Sequence, residues 1–338
     1  MIKLAFARMF ALVAAILALL PAPAAAQRVG EPMPRTGDEI IVCGQLFHTT
    51  TPVVTWMDPG GYDGYRVERR FGPYADSQWD QIKDEVREPN RYNSRIKGAV
   101  PPIPPEQVEQ VRGGGWTLEQ MQDVVDQFVI HYDVCGTSRR CFKVLHDERC
   151  LSVHLMLDID GTIYQTLDLK ERAWHATTSN SRSIGIEIAQ MGAYSPRSRH
   201  KLDRWYTSDD QGVRLTFPAS YGELGLRTPN FIGRPARPEL VVGEVQKTEL
   251  YQYDFTPEQY AALEKLTATL CRVFPKLRCD YPKDSTGRVI MDKLPDAQLR
   301  EYTGLLGHFH IQENKTDPGP AFDWQRVTSG AKRLLATE

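Results

Sequence analysis

Near the C-terminus runs GHFHIQENKTDPGPAFDW, Gly307 to Trp324, in which two histidines, a lysine and an aspartate precede a Pro-Gly-Pro turn. These are metal-type ligands with one cation among them. A catalytic zinc takes three ligands from His, Asp, Glu or Cys and keeps a further position open for water. His308 closes an apolar run, Tyr302 to Gly307, that reads as a strand. Asp317 follows in a loop bent by Pro318-Gly319-Pro320, and that turn can fold the aspartate back to the strand end. His131 closes a second β-rich run that begins at Gln127. His131, His308 and Asp317 form a donor set that suits Zn2+. Taken alone, His131 reads more readily as a strand-end histidine satisfied by its neighbours.

Two further residues could work beside such a metal. Lys315 lies two residues before Asp317, and in an extended segment such positions share a side. Its ammonium could stabilise an oxyanion formed when water attacks a carbonyl; the plainer reading is a solvated loop lysine. Glu187 sits in Ser183-Ile184-Gly185-Ile186-Glu187-Ile188-Ala189. Alternation places Gly185, Glu187 and Ala189 on one face, so a small-residue surface carries one carboxylate. Burying a carboxylate is costly unless it is paired or works. Glu187 could take a proton from an attacking water and pass it to a leaving amine; the alternative is a buried ion pair.

Strands and helices must position these groups. Ser152 to Leu157, Thr162 to Leu167 and Ser183 to Ile188 read as strands, with Asp160-Gly161 a hairpin turn between the first two. Thr117 with Gln120, and Thr256 with Pro257 and Gln259, are helix-start signatures. Tyr260, Leu263, Leu266, Leu270 and Val273 keep helical spacing, and Phe322 to Leu335 reads as a last amphipathic helix. The expected class is α/β, a single mixed central β-sheet flanked by helices. Residues 190–254 are rich in Arg, Pro, Gly and Tyr without periodicity and read as an insertion in surface loops; a wall for a substrate groove is the role expected of it. Residues 27–114, rich in proline and glycine, form an N-terminal extension of unknown fold, with short strands suggested at Ile40-Ile41-Val42 and Pro52 to Trp56.

The 338 residues carry a net charge of -2, which gives no basic field for nucleic acid. Residues 1–26 read as a cleavable signal peptide: Lys3 and Arg8, then the apolar run Met9 to Leu20, then Ala24-Ala25-Ala26. No cysteine marks a lipid anchor there, and no later segment reads as a membrane span. A periplasmic or secreted location is expected. In an oxidising compartment the six cysteines suggest disulfides. Close spacing favours Cys135 with Cys141 and Cys271 with Cys279, leaving Cys43 with Cys150. A zinc cluster of cysteines is disfavoured by the lack of any C-x-x-C pair.

The chain resembles the zinc-dependent N-acetylmuramoyl-L-alanine amidases of the type 2 family, relatives of the peptidoglycan recognition proteins. FVIHYD (Phe128–Asp133), RAWHA (Arg172–Ala176), SIGIEI (Ser183–Ile188) and GHFHIQENKTDPGPAFDW carry the resemblance in the family's order, and SVHLMLDIDGTIYQ matches its strand-turn-strand. It covers roughly Trp116 to the C-terminus, so 115–338 is the expected amidase domain. The resemblance implies zinc on His131, His308 and Asp317, with Glu187 and Lys315 as catalytic partners. It places His175 at the substrate cleft, with Trp174 and Asn180 as further candidates. It also implies a short disulfide between Cys135 and Cys141. Gln312-Glu313-Asn314 replaces the family's Pro- and Arg-containing turn, one residue shorter, which leaves His310 as a rival ligand; His308 is preferred because it directly follows the glycine. The implied activity is hydrolysis of the MurNAc–L-Ala amide in peptidoglycan or muropeptides. The alternatives are a recognition protein that binds peptidoglycan without cutting it, and a structural cell-wall protein working through its extension.

Overall fold

The β-branched runs read from the sequence become the centre of a six-stranded sheet. A computed structural model describes residues 28–85, 92–96 and 102–337. The expected signal peptide lies outside the described residues. The strands are β1 (Val53–Thr55), β2 (Gln127–Tyr132), β3 (Leu155–Leu157), β4 (Ile163–Gln165), β5 (Ser183–Ile188) and β6 (Gly304–Gly307). Their order is β6-β2-β5-β3-β4-β1. All neighbours run parallel except β3 and β4, the hairpin pair joined through Asp160-Gly161. Gly161 has φ +82°, which the turn requires and glycine supplies without strain. β2 and β5 are buried almost throughout, as expected of parallel strands covered on both faces.

One face packs on α1 (Leu118–Val124), α3 (Pro257–Val273) and α4 (Trp324–Ala336). Phe128, Ile130, Ile184 and Ile186 from the sheet meet Leu263, Leu266, Leu270 and Val327 in one core. Both anticipated capping boxes form: Thr117 and Thr256 accept from the amides of Gln120 and Gln259, whose side chains reach back. Each such cap contributes about 1 kcal/mol. The opposite face carries α2 (Ser138–Phe142), which runs on into a π-helical turn, Lys143–Glu148, over Val54, Tyr62, Met156 and Tyr164.

The region read as an extension is woven into this sheet. It supplies β1 at the sheet edge, and its hairpin Glu39–Val42 with Gln45–His48 places Ile40 and Val42 in the main core. Asp147 accepts the amides of Arg70 and Phe71 at 2.9 and 2.8 Å. Arg95 is fully buried and donates to the carbonyls of Leu169, Asn180, Ser181 and Ser183. Thr36–Glu338 form one compact unit.

Residues 190–254 differ from the loops expected. They hold a 3-10 helix, Pro196–Arg204, and two hairpins, Tyr206–Asp209 with Gly212–Leu215 and Val241–Val245 with Thr248–Gln252. Met191, Leu202 and Tyr206 form a small core of their own. The six cysteines are free thiols in the structure, so the expected disulfides are not formed. Cys135 and Cys141 nevertheless lie side by side, as do Cys271 and Cys279, each pair within hydrogen-bonding reach. The amide of Cys43 is instead held by Asp168.

Candidate active site

The parallel register does most of the positioning. Along β2 and β5 it sets His131 opposite Glu187. β6 ends with Gly307 opposite Ile130, so His308 emerges beside His131 at the carboxyl ends of the strands. Such an end is the usual ligand crevice of a parallel sheet. Asp317 is brought back by its own carbonyl, which accepts the Phe309 amide at 3.2 Å. Gly319, at φ +86°, holds the following turn against Gln252, where a Cβ would lie 2.1 Å from the amide oxygen.

The three expected ligands converge. His131 Nδ1 lies 2.8 Å from Asp317 Oδ2 and 3.0 Å from His308 Nδ1. His308 Nδ1 lies 3.1 Å from the same carboxylate oxygen. All three residues are buried. Burial opposes ionisation of Asp317, but the charge and N–H groups of the two imidazoles, when they are protonated, hold its carboxyl well below the usual carboxylate range. Burial, with the charge of His308, lowers His131 to about 4, so it is neutral near pH 7. An ionised carboxylate and a neutral imidazole are the forms that bind metals.

The donor set passes a direct test of fit for a cation. His308 Nε2 lies 2.6 Å from Gln312 Oε1, an oxygen that only accepts. Nε2 therefore carries a proton, and in the neutral ring Nδ1 presents a lone pair. That lone pair faces the Asp317 carboxylate, acceptor against acceptor, in a buried place where unsatisfied polar groups are costly. A zinc ion suits two imidazoles and a carboxylate.

His310 is no rival. Its Nδ1 accepts the Gly307 amide at 2.8 Å and its Nε2–H donates to the Ile290 carbonyl at 2.7 Å. Both nitrogens are spent on backbone.

A cavity of about 460 Å³ opens over the cluster. Glu187 lines it, and burial pushes its carboxyl well above the usual range, with Asp317 and Asp133 adding to the rise and Lys315 opposing it. Lys315 also lines the cavity, next to Thr316, whose hydroxyl meets Tyr132 Oη at 2.6 Å. Trp174 Nε1 is buried there without a partner among the described residues. Asn180 lines the cavity, but its Oδ1 is occupied by the amides of His175 and Ala176, at 3.1 and 2.6 Å. His175 sits behind His131, with Nδ1 3.0 Å from His131 Nε2 and Nε2 3.2 Å from Ser183 Oγ. Gly185 leaves the space for that ring: a Cβ there would lie 2.5 Å from it.

Sequence reasoning missed Asp133, Gln312 and the wall formed by Val144, Leu145 and Arg149. Asp133 was legible as the last residue of FVIHYD. Its Oδ1 takes the amides of Cys135, Gly136 and Gln190, and burial pushes its pKa up to about 7. Gln312 carried a signal in its place four residues after His308. The wall carried none, because a π-helical turn has no distinctive residue pattern. No residue of 190–254 lines this cavity. The insertion is tied to the lining from behind: the Gln190 amide donates to Asp133 Oδ1 at 3.0 Å, and the Tyr221 hydroxyl donates to the Cys135 carbonyl.

Comparison with known proteins identifies the family. Residues 120–320 match the model of a family described as N-acetylmuramoyl-L-alanine amidase. The chain is 22% identical over 231 residues to the 1,6-anhydro-N-acetylmuramyl-L-alanine amidase AmpD of Haemophilus influenzae, covering 68% of this chain and 78% of that protein. A solved AmpD derivative shares 18% identity with a TM-score of 0.32, over 71% of this chain and 90% of that one. E. coli AmiD, solved with anhydro-N-acetylmuramic acid-L-Ala-D-gamma-Glu-L-Lys, shares 18% identity with a TM-score of 0.34, over 61% of this chain and 57% of that one. With the family model spanning more than half of its length, this chain belongs to the N-acetylmuramoyl-L-alanine amidases of type 2, a family of peptidoglycan amidases.

Proposed function

We propose that the chain is an exported, zinc-dependent amidase that cleaves the bond between the lactyl group of N-acetylmuramic acid and the L-alanine of the stem peptide. One observation carries the reading. Three donor atoms of His131, His308 and Asp317 lie within 4.8 Å of one another at the mouth of a cavity that also holds Glu187 and Lys315. Export rests on the signal-peptide pattern of residues 1–26, and the amidase domain on residues 115–338 with the 190–254 insertion.

The chemistry a zinc ion supplies when held there is Lewis acidity toward the scissile carbonyl and the attacking water. The rest falls to the chain. Glu187, its proton affinity raised by burial, takes the proton of the attacking water and returns it to the departing nitrogen of alanine. The Lys315 ammonium faces the charge that develops on the carbonyl oxygen. A cavity of this size is in the range that holds a small ligand, here one sugar and the first stem residues.

The test is digestion of purified peptidoglycan and of an anhydro-muropeptide by the zinc-loaded protein, by Glu187→Ala and by a chelated sample. Mass spectrometry should find peptides beginning with L-alanine from the first alone. Zinc bound and the sacculus retained, with no peptide released, would make the protein a recognition protein instead.

A further inference from the structure

We propose that His175 and Gln312 are positioning residues for the metal centre. They accept the outward N–H groups of His131 and His308 and so keep both rings turned with Nδ1 toward the metal. The inference rests on the zinc reading above and deepens it.

An imidazole that ligates through Nδ1 must carry its proton on Nε2, and that N–H needs an acceptor. The chain provides one for each ligand from a different place. Gln312 Oε1 stands 2.6 Å from His308 Nε2, on the loop that departs from the family's usual turn. His175 Nδ1 stands 3.0 Å from His131 Nε2. The second acceptor is itself an imidazole, so it can accept at Nδ1 only while its own proton sits on Nε2. Ser183 Oγ, 3.2 Å away, takes that proton in a hydrogen bond. The relay runs His131 Nε2–H to His175 Nδ1, then His175 Nε2–H to Ser183 Oγ.

The relay is held from all sides. Asn180 Oδ1 fixes the His175 amide, Gly185 leaves room for the ring, and Arg95 holds the Ser183 carbonyl at 3.0 Å. The same geometry bears on the substrate role that the family resemblance implies for His175. Both of its ring nitrogens are engaged within the protein, so it reaches the cavity with carbon atoms and has no nitrogen left for a substrate.

The test is zinc affinity, measured by competition with a chromophoric chelator, together with the visible absorption of the Co2+-loaded protein. Wild type, His175→Leu, His175→Asn and Gln312→Met are compared, with melting of each metal-free protein as the check on folding. His175→Leu and Gln312→Met should weaken zinc by about 10- to 100-fold and alter the Co2+ spectrum. His175→Asn should recover most of the loss, because its Oδ1 falls where Nδ1 was. Gln312 lies half-buried in a loop, so its variant reports even if His175→Leu fails to fold. Zinc affinity in folded His175→Leu and Gln312→Met equal to wild type overturns the proposal. So does a folded His175→Asn as weak as His175→Leu. Wild type that binds no zinc overturns the zinc reading first, and this proposal with it.

Discussion

Two histidine-rich knots lie almost in contact, with the rings of His154 and His175 5.7 Å apart, yet they do opposite things. In the knot around His154, backbone takes up most of the side-chain nitrogens, while Arg95 Nη2 also meets His154 Nε2 at 2.9 Å. Gly185 donates to His154 Nδ1 at 3.0 Å, His154 Nε2–H donates to the Glu171 carbonyl at 2.9 Å, and Arg95 spreads its Nη atoms over four carbonyls. In the knot around His131, lone pairs face lone pairs at the rim of a cavity. His308 and His310 repeat the contrast two residues apart. What separates a strut from a site is therefore not residue type or burial but whether the acceptors have donors already.

That distinction can be broken by deletion in each knot. Asp317→Ala should remove zinc binding and lower turnover by at least about 10³-fold, because metal and electrostatic assistance go together. It should leave the metal-free protein as stable as wild type in urea; a large loss of stability would mean that the cluster is a strut after all. Arg95→Ala should do the reverse at the level of the fold. It strands buried carbonyls at about 1–3 kcal/mol each, so urea unfolding should report a loss of about 3 kcal/mol or more. A loss under about 1 kcal/mol would remove Arg95 from the frame.

A smaller effect sharpens the comparison through pH. Burial, with the neighbouring Arg95 charge, lowers His154 from 6.5 to about 3, so the folded protein holds it neutral. The unfolded chain takes up the proton near its ordinary pKa. The contribution is therefore complete above about 6.5 and is lost progressively as pH falls toward 3. Urea midpoints at pH 7.5 and pH 5 should differ by more in wild type than in His154→Gln; equal differences would show that His154 is not the titrating strut.

The convergence of His131, His308, Asp317 and Glu187 on one cavity was legible because three different physical signals pointed to one place. β-branched runs announced the strands, a turn-rich loop announced the return of Asp317, and one carboxylate stood out in an apolar strand. The capping boxes at Thr117 and Thr256 were legible for the same reason: they are local chemistry. Arg95 was not, because its partners lie 74 to 88 residues further along and nothing near it marks it as buried. The hairpin at Val245 to Thr248 was hidden differently. Gln246 and Lys247 both hold positive φ, a role usually signalled by Asn-Gly, so the turn signal was absent. The role of His175 needed the register of β5, which places Gly185 beneath its ring.

The three-residue strand β1 has a consequence for the solubility of the protein. It lies against β4 and ends the sheet. Cut the chain after residue 114, and β4 presents a bare row of amides and carbonyls beside Ile163 and Tyr164, a template for a strand from any other molecule. A strand as short as β1 pairs that row while offering little edge of its own. The stretch that looked dispensable thus acts as a guard against self-association, and a trimmed catalytic fragment would trade a smaller protein for a stickier one.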